Sequence, residues 1–370
     1  MNDSGTGQLR QTLTAIVGTT RLVTDREERA YLSQDAFWDD AVAAVVIRPG
    51  TRQQLGAALA AISAAGYAVV ARGGGMSYTR GYVPSQEKSV LVDCRDLNRI
   101  VEINEEDMYI TAEAGCTWMQ LYETLKARGL RTPYFGPMSG MFATVGGALS
   151  QNSMFYGSAT WGTVAESVLG LKVALADGRL IRTGSGANRG KQPFFRHYGP
   201  DLTGLFLSDT GALGVKVEAT IRLIREPACT GYASFAFENF HDIVDAQTEI
   251  GRCGLAAECF GLDPYLNGQR TMVKDLGSGL KALGSVVKAG SSLLGGLKDA
   301  ASIAAAGLSG FADGVRYSLH LTADSSNEAD MGWRMQEIRR IAVAARGREI
   351  EAVIPRVIRA QPFTHVGEFL

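Results

Sequence analysis

Short apolar runs and one long amphipathic stretch alternate in the first quarter of the chain. VVIRP, YAVVAR and SVLVDCR begin at Val45, Tyr67 and Ser89, and TRQQLGAALAAISAAG lies between the first two. Short apolar runs predict buried strands, whereas the longer stretch with a 3.6-residue period predicts a helix. The order strand, helix, strand, strand is typical of a layered domain that combines helices with a sheet.

A second group of elements follows and ends near Pro227. ITAEAG predicts a strand, TWMQLYETLKARG predicts a helix that ends before Gly129, and residues 133–162 are rich in glycine and proline and predict loops. VLGLKVALADGRLIRTG predicts a hairpin that turns at Asp177-Gly178, and VKVEATIRLIREP predicts a further strand. We therefore expect a first domain over residues 1–229, with residues 1–44 as its lead-in.

The pattern after Pro227 is that of β-α-β repeated twice. GYASFAFENF, DIVDAQTEIGRCG and AAECFGLD form the first repeat, and GVRYSLHLTAD, NEADMGWRMQEIRRIAVAARG and REIEAVIP form the second. This order predicts a ferredoxin-like layer over residues 230–370. Residues 275–312 lie between the repeats and are rich in Gly, Ala, Ser and Leu.

The inserted segment 275–312 has two interpretations. Its lysines and apolar positions are compatible with an amphipathic segment that touches a bilayer surface or a partner, and equally with a helical insertion whose apolar stripe packs on the domain. A peripheral membrane contact therefore stays open. No stretch reaches the roughly 18 apolar residues that a membrane span needs.

Composition and charge favour a protein that acts on small molecules. The 370 residues are 46% hydrophobic and 20% charged with a net charge of −1, which is ordinary for a two-domain globular chain and gives no basic surface for nucleic acid. Five cysteines without a CxxC pair and an N-terminus without an apolar core predict reduced thiols and a cytoplasmic location. The histidines at 197, 241, 320 and 365 are far apart, so we expect no metal site.

The loop RGGGMSYTRG, which begins at Arg72, is the clearest candidate for chemistry. Three consecutive glycines allow a tight loop whose backbone N–H groups converge on an anion, and they equally allow a structural turn. Two common phosphate-binding motifs are excluded. GSGANRGK is followed by Gln192 where a P-loop needs Ser or Thr, and no GxGxxG opens a helix after a strand.

The blocks from Val45 to Pro227, in this order, resemble the FAD-binding domain of the vanillyl-alcohol oxidase and p-cresol methylhydroxylase (PCMH-type) flavoproteins. That superfamily includes glycolate oxidase and D-lactate dehydrogenase flavosubunits. The resemblance implies an α+β fold in which a two-subdomain FAD-binding domain is followed by the ferredoxin-like cap domain. It also implies an FAD site formed by Arg72, Gly73, Gly74, Gly75, Met76, Ser77, Tyr78, Gly81, Pro137, Ser139, Gly140, Thr144, Gly146, Gly147, Asn152, Gly157, Ser158, Trp161, Gly162, Gly211, Gly214, Val215 and Ile221.

The resemblance also predicts that FAD is bound non-covalently. Some relatives tether the flavin through a His in the first loop or a Cys in the second, and Met76 and Phe142 stand at those positions here. Trp118 and Met119 are expected to belong to the core, and Cys94 and Cys116 to be small buried residues.

Members of the superfamily usually continue beyond the cap domain, so we expect the C-terminal part to be missing and residues 230–370 to form an incomplete cap. No catalytic residue can be transferred by the resemblance. His320 is the first candidate because alternation along its strand can turn it towards the flavin, and Arg356, Arg359 and His365 are further candidates. His197 is either a residue on the surface of a loop or a substrate ligand. The implied activity is removal of a hydride from a hydroxyl-bearing carbon, first of a 2-hydroxy acid and alternatively of a phenolic alcohol, with an unspecified electron acceptor. A non-catalytic flavin-domain protein that docks on a membrane or partner is the third possibility.

Overall fold

The computed structural model describes residues 3–188, 192–271 and 314–363. Within these ranges the chain divides into two compact units. Unit 1 comprises residues 3–154 and 163–225, and unit 2 comprises residues 155–162 and the described residues after 225. The predicted insertion at 275–312 and the candidate His365 lie outside the described residues.

The first sheet of unit 1 has the strand order β1-β2-β4-β3. Strands β2, β3 and β4 are parallel to one another, and β1 is antiparallel to β2. The elements of this layer are α1 (Asp3–Val17), β1 (Leu22–Val23), α2 (Arg26–Leu32), β2 (Val45–Ile47), α3 (Arg52–Ala64), β3 (Ala68–Arg72) and β4 (Ser89–Asp93). Helix α3 begins where predicted because the Thr51 hydroxyl accepts a hydrogen bond from the Gln54 N–H at 3.2 Å.

The second sheet of unit 1 is antiparallel, with the order β5-β6-β10-β8-β9. The predicted hairpin turn is confirmed, since Gly178 has a φ of 84° between β8 and β9. The remaining elements of unit 1 are β5 (Ile100–Asn104), β6 (Tyr109–Glu113), α4 (Trp118–Lys126), β7 (Leu130–Arg131), α5 (Val145–Gln151), β8 (Val168–Ala174), β9 (Leu180–Arg182), α7 (Leu202–Leu205), β10 (Val215–Arg222) and β11 (Ile224–Arg225). Strands β7 and β11 pair with each other.

One apolar core joins the layers of unit 1. Leu13 of α1, Leu59 of α3 and Val90 of β4 lie in it together with Val215 and Val217 of β10. Burial of a side chain of this size stabilises the fold by about 1.5–3 kcal/mol relative to exposure. The core thus fixes the end of β3, from which the next loop starts, and the beginning of β10, where the preceding loop ends.

The sheet of unit 2 has the order β13-β14-β12-β15 and is antiparallel throughout. This order and the two long helices on one face confirm the predicted ferredoxin-like layer. The apolar side chains of that face, such as Phe235 and Leu319, pack with Ile243 and Ile338 of the helices. The elements of unit 2 are α6 (Ser158–Trp161), β12 (Cys229–Phe237), α8 (Phe240–Arg252), β13 (Glu258–Leu262), α9 (Pro264–Thr271), β14 (Tyr317–Ser325), α10 (Glu328–Ala344), β15 (Arg348–Ile350) and α11 (Val353–Ala360).

Two local predictions are wrong. REIEAVIP is a strand only over its first three residues, and a helix starts at Val353. Pro355 lies in the first turn of that helix, where its missing N–H costs nothing. The stretch 133–162 is not loop throughout, because α5 and α6 form within it. A glycine in a helix is about 1 kcal/mol less favourable than an alanine. In α5 the contacts of Gly146 with Ala114 outweigh that cost.

The described residues contain no helix with both the length and the apolar character that crossing a bilayer requires. No segment of unit 1 or unit 2 within those ranges therefore reads as a transmembrane helix.

Candidate functional site

The three glycines after β3 are explained by the segment that lies against them. A Cβ on Gly73 would overlap the Thr144 hydroxyl, and one on Gly74 would overlap the Phe142 carbonyl oxygen. Gly75 has a φ of 71°, which L side chains rarely adopt. The bare backbone therefore lets two chain segments approach each other closely, and both were predicted from the sequence to bind the cofactor.

Arg72 places a buried guanidinium group beside this loop. The residue is 8% exposed, its Cζ lies 5.1 Å from the centre of the Tyr82 ring, and Nη1 donates to the Gly73 carbonyl at 3.2 Å. Its Nε is buried and has no hydrogen-bond partner. Burial lowers the pKa of Arg72, and the nearby Asp93 carboxylate opposes that shift. A buried donor with spare capacity beside a loop of backbone amides suits an anionic ligand.

Tyr82 also contacts this segment, residues 73–77, which we call the glycine loop. Its hydroxyl donates to the Gly75 carbonyl at 2.8 Å, and burial raises its pKa. Asp93 is fully buried at the end of β4 and accepts from Arg95 at 2.6 Å. Tyr82 thus bonds the loop directly and Asp93 places a buried negative charge near Arg72, and the sequence pattern indicated neither residue.

Helix α5 forms the second part of the site. The Thr144 hydroxyl accepts from the Gly147 N–H at 3.3 Å and so caps the helix. Gly146 donates its N–H to the Ala114 carbonyl at 2.7 Å, and a Cβ there would collide with Ala114. The helix ends at Asn152, whose φ of 50° is left-handed and whose Oδ1 is buried without a hydrogen-bond partner. This is a second unsatisfied polar atom among the predicted site residues.

The loop before β10 forms the third part. The Ser208 and Thr210 N–H groups donate to the Leu149 and Ser150 carbonyls of α5, each at 3.0 Å. A Cβ on Gly211 would lie 3.3 Å from the Cβ of Ala71, the residue before Arg72. The structure therefore brings together the glycine loop, α5 and the loop 207–214, and the first and last of these segments lie more than a hundred residues apart along the chain.

The other residues of unit 1 that the sequence predicts to bind FAD differ in their exposure and in their neighbours. Gly81 lies against Gln151 of α5, and Tyr78 is 63% exposed. Val215 opens β10, whereas Ile221 is fully buried and pairs with strands on both sides. The roles of these residues in binding a cofactor stay predictions.

Four predicted residues lie in unit 2 instead of unit 1: Gly157, Ser158, Trp161 and Gly162. Gly157 donates its N–H to the Glu258 carboxylate at 2.7 Å, and Ala159 donates to the Ala257 carbonyl at 3.0 Å. Thr160 also bonds the residues just before β13, since its Oγ1 donates to the Ala256 carbonyl at 2.9 Å. Their position along the flavin stays a prediction.

His320 lies on the sheet face opposite the two long helices of unit 2 and is 1% exposed. Its ring nitrogens each lie 2.8 Å from a serine hydroxyl, Nδ1 from Ser234 and Nε2 from Ser318. Ser318 donates to Asn267 Oδ1 at 2.9 Å, so it accepts from Nε2–H of the histidine. His320 therefore lies inside a buried hydrogen-bonded network of side chains. A catalytic role for it stays a prediction.

The other candidates have structural partners. Arg359 contacts both carboxylate oxygens of Asp324 at 2.6 Å, and Arg356 contacts Glu351 at 2.6 Å. His197 is exposed, and Trp118 is fully buried, which confirms the assignment of Trp118 to the core.

The described residues contain no group of three or more His, Cys, Asp or Glu side chains that could hold a metal ion.

Comparison with known proteins shows which domain family the residues of unit 1 are similar to. Residues 43–184 match the FAD binding domain family. The chain is 29% identical over 205 residues to the glycolate oxidase subunit GlcD of Bacillus subtilis, covering 55% of this chain and 42% of that protein. It is 30% identical over 175 residues to a probable mitochondrial D-lactate dehydrogenase of Danio rerio, covering 47% and 34%. The similarity to the FAD binding domain family covers residues 43–184, and the chain spans less than half the length of these two curated relatives.

Solved structures give the same fold over nearly the whole chain. p-Cresol methylhydroxylase with substrate bound matches with a TM-score of 0.75 at 17% identity, covering 98% of this chain and 70% of that one. The isoeugenol complex of 4-ethylphenol oxidase from Gulosibacter chungangensis matches with a TM-score of 0.76 at 17% identity, covering 99% and 71%. The predicted PCMH-type fold is therefore confirmed.

The residues of unit 1 fit FAD. The diphosphate of FAD is an anion, and the buried Nε of Arg72 together with the backbone N–H groups of the glycine loop would supply donors for it. The buried Oδ1 of Asn152 is an acceptor that a donor group of the cofactor would satisfy.

Proposed function

We propose that this chain is the flavin-binding part of an FAD-dependent oxidoreductase that removes a hydride from the hydroxyl-bearing carbon of a small 2-hydroxy acid. The observation that carries the proposal is that the glycine loop, α5 and the loop 207–214 pack together, and that Arg72 and Asn152 at the ends of two of these segments each have a buried polar atom without a hydrogen-bond partner. The relatives named for glycolate and D-lactate support the substrate class.

The contribution of the chain's own residues is binding and orientation. FAD, when bound, supplies a two-electron acceptor, which no amino-acid side chain provides. Arg72 and the backbone of Gly73–Gly75 would hold the diphosphate, because a buried guanidinium and convergent N–H groups stabilise negative charge. Thr144 and Asn152, at the two ends of α5, would face the remainder of the cofactor. Met76 and Phe142 offer no nucleophile for a covalent tether at the positions where some relatives carry one.

The spectrum of the purified protein tests the proposal. We expect a yellow protein that bleaches without air when glycolate or D-lactate is added, and that releases its flavin into the supernatant when it is denatured with acid. Bleaching by vanillyl alcohol or p-cresol alone would assign the phenolic alternative instead. A yellow protein that none of these compounds bleaches would favour the non-catalytic alternative, and a protein that takes up no FAD would refute the assignment.

A matched pair of arginine variants tests the site itself. Arg72→Met removes the buried guanidinium and should weaken FAD binding about tenfold or more, since a hydrogen bond to a charged group contributes about 1.5–3 kcal/mol. Arg179→Met is the control, because that side chain is 74% exposed and pairs with Asp177 in the turn between β8 and β9. Titration of the apoprotein with FAD, followed by flavin fluorescence, measures both. Equal affinities for the two variants would exclude Arg72 from the site.

A further inference from the structure

The loop 207–214 holds an unusual backbone conformation. Ser208 and Thr210 have φ values of 58° and 51°, and Gly211 has a φ of 82°. A β-branched residue such as threonine is rarely found in the left-handed region, and each such residue costs about 1–3 kcal/mol. A conformation of this kind persists only when the surrounding contacts determine it.

Asp209 supplies those contacts from inside the loop. Its carboxylate accepts from the Gly211 N–H at 2.9 Å and from the Leu213 N–H at 3.4 Å. Its Oδ1 also accepts from Lys216 Nζ at 2.5 Å. The side chains of Asp209 and Lys216 are 4% and 2% exposed, so the pair is shielded from solvent.

Lys216 connects the loop to the most constrained part of unit 1. It lies in β10, the central strand of the antiparallel sheet, and its register partner is Val173. Burial lowers the pKa of Lys216, and the hydrogen bond and charge of Asp209 oppose that shift. A buried ammonium of this kind is stabilised by the carboxylate beside it. Removal of either side chain leaves the other charge buried without a counter-charge, which destabilises the fold.

The loop in turn connects two parts of the candidate site. Ser208 and Thr210 bond the last carbonyls of α5, and Gly211 lies against Ala71 beside Arg72. Through these contacts, the loop fixes the end of α5 relative to the start of the glycine loop.

We propose that Asp209 and Lys216 form a positioning pair that holds the glycine loop and α5 in the arrangement that binds FAD. This inference rests on the FAD assignment of the proposed function. Neither side chain is expected to contact the cofactor, so both act through the loop 207–214.

The chain offers a matched control in a second buried pair. Lys172 of β8 bonds Glu218 of β10, each side chain is 9% exposed, and Glu218 also accepts from Arg52 of α3 at 3.0 Å. Both pairs therefore involve the same strand and similar burial, but Lys172 and Glu218 hold no left-handed loop. Lys216→Met and Lys172→Met remove the same group from the two pairs.

Hydrogen exchange of the apoprotein tests the pair without any cofactor. In Lys216→Met, we expect amide exchange to accelerate by about tenfold or more over 207–214 and also over 73–77, because both segments lose a common support. In Lys172→Met, exchange over 73–77 should stay as in the wild type. Acceleration confined to 207–214, or equal acceleration in the two variants, would overturn the proposal.

FAD titration supplies the second readout. We expect Lys216→Met to weaken FAD binding about tenfold or more, Lys172→Met to weaken it less than about threefold, and Lys216→Arg to recover part of the loss by keeping the charge. If Lys216→Met fails to fold, Asp209→Asn takes its place, since it keeps an acceptor oxygen and removes only the charge. Unchanged FAD binding in the variant would refute the positioning role. A wild-type protein that binds no FAD would refute the proposed function, while the exchange data would still decide whether the pair couples the two loops.

Discussion

At the scale of single residues, the glycines of the first loop show why a short motif can mislead. Three consecutive glycines favoured either an anion site or a structural turn. In the structure, Gly73 and Gly74 are required by the neighbouring Thr144 and Phe142, and the unsatisfied donor belongs to Arg72. The glycines allow the close approach, and the adjacent arginine provides the charge.

Gly74→Ala should therefore damage both stability and FAD binding. Its new methyl group would meet the Phe142 carbonyl, and overpacking of this kind costs about 1–3 kcal/mol. Thermal unfolding with and without FAD measures the two effects.

Gly7→Ala provides the control for that substitution. Gly7 lies in α1 with no atom within 4 Å of an added Cβ, so alanine there should stabilise the protein by about 0.5–1 kcal/mol. Equal stability of Gly74→Ala and Gly7→Ala would show that the loop can move aside.

The cysteines make a second prediction at this scale. Burial raises the pKa of Cys94, Cys116 and Cys259 to about 12, whereas Cys253 is exposed. Because the thiolate is the reactive form, a thiol with that pKa is only about one part in ten thousand reactive near pH 8. Iodoacetamide should therefore modify Cys253 first in the folded protein.

Mass spectrometry of the labelled peptides checks this order, and Cys253→Ser should remove the fast phase. Labelling of Cys94 or Cys116 at the rate of Cys253 would contradict their buried positions.

At the scale of elements, the helix α5 was not predicted because its sequence argues against a helix. Two glycines follow its capping threonine, and a glycine-rich stretch usually indicates a loop. The helix forms because Gly146 fits against Ala114 and Thr144 caps the first turn. By contrast, α3, α4 and α8 were predicted correctly, since their apolar positions recur with the helical period and their ends carry caps or glycines.

Asn152 allows the two functions of the α5 terminus to be separated. Asn152→Gly keeps the left-handed φ of 50° and should change the free energy of unfolding by less than about 0.5 kcal/mol. It removes the buried Oδ1, so FAD binding should weaken. Asn152→Ala should lower stability as well, by about 1–2 kcal/mol, because alanine disfavours this conformation.

Chemical denaturation measures the free energy of unfolding of both variants, and FAD titration measures their affinity for the cofactor. Wild-type FAD affinity in Asn152→Gly would mean that the amide oxygen does not face the cofactor.

At the scale of the whole molecule, the chain does not complete unit 1 before it begins unit 2. Residues 155–162 belong to unit 2, after which the chain returns to unit 1 until residue 225. No periodicity or turn residue indicates this excursion, because it is defined by hydrogen bonds to Glu258 of β13 and to Ala256 just before that strand, about a hundred residues later.

Glu258 holds the excursion through its carboxylate and should be important for the stability of unit 2. Its carboxylate is 3% exposed, accepts from the Gly157 N–H and lies 3.3 Å from Arg359. Glu258→Ala breaks a buried ion pair, which typically costs about 3–5 kcal/mol. Glu258→Gln should cost less, since an amide oxygen can still accept from Gly157.

Glu337→Ala is the matched control, because this glutamate pairs with Arg340 on the surface of α10. Exposed pairs contribute about 0–1 kcal/mol. Urea denaturation measures all three variants, and a loss in Glu258→Ala no larger than that in Glu337→Ala would show that the excursion is held by other contacts.

The sequence by itself determined the order of most strands and helices and the ferredoxin-like repeat. These depend on local periodicity and on turn residues, which can be read without coordinates. The FAD assignment, with Arg72, Thr144 and Asn152 among the expected site residues, comes from the resemblance of the ordered blocks between Val45 and Pro227 to known flavoproteins.

Only the tertiary structure decided which of these residues meet and what supports them. The buried pair Asp209–Lys216, the contact of Tyr82 with Gly75 and the membership of residues 155–162 in unit 2 join segments that are distant or unpatterned in sequence. Periodicity reports which face of an element is buried, but it does not report which other segment covers that face. That choice is made by the close packing and hydrogen bonding of the folded chain.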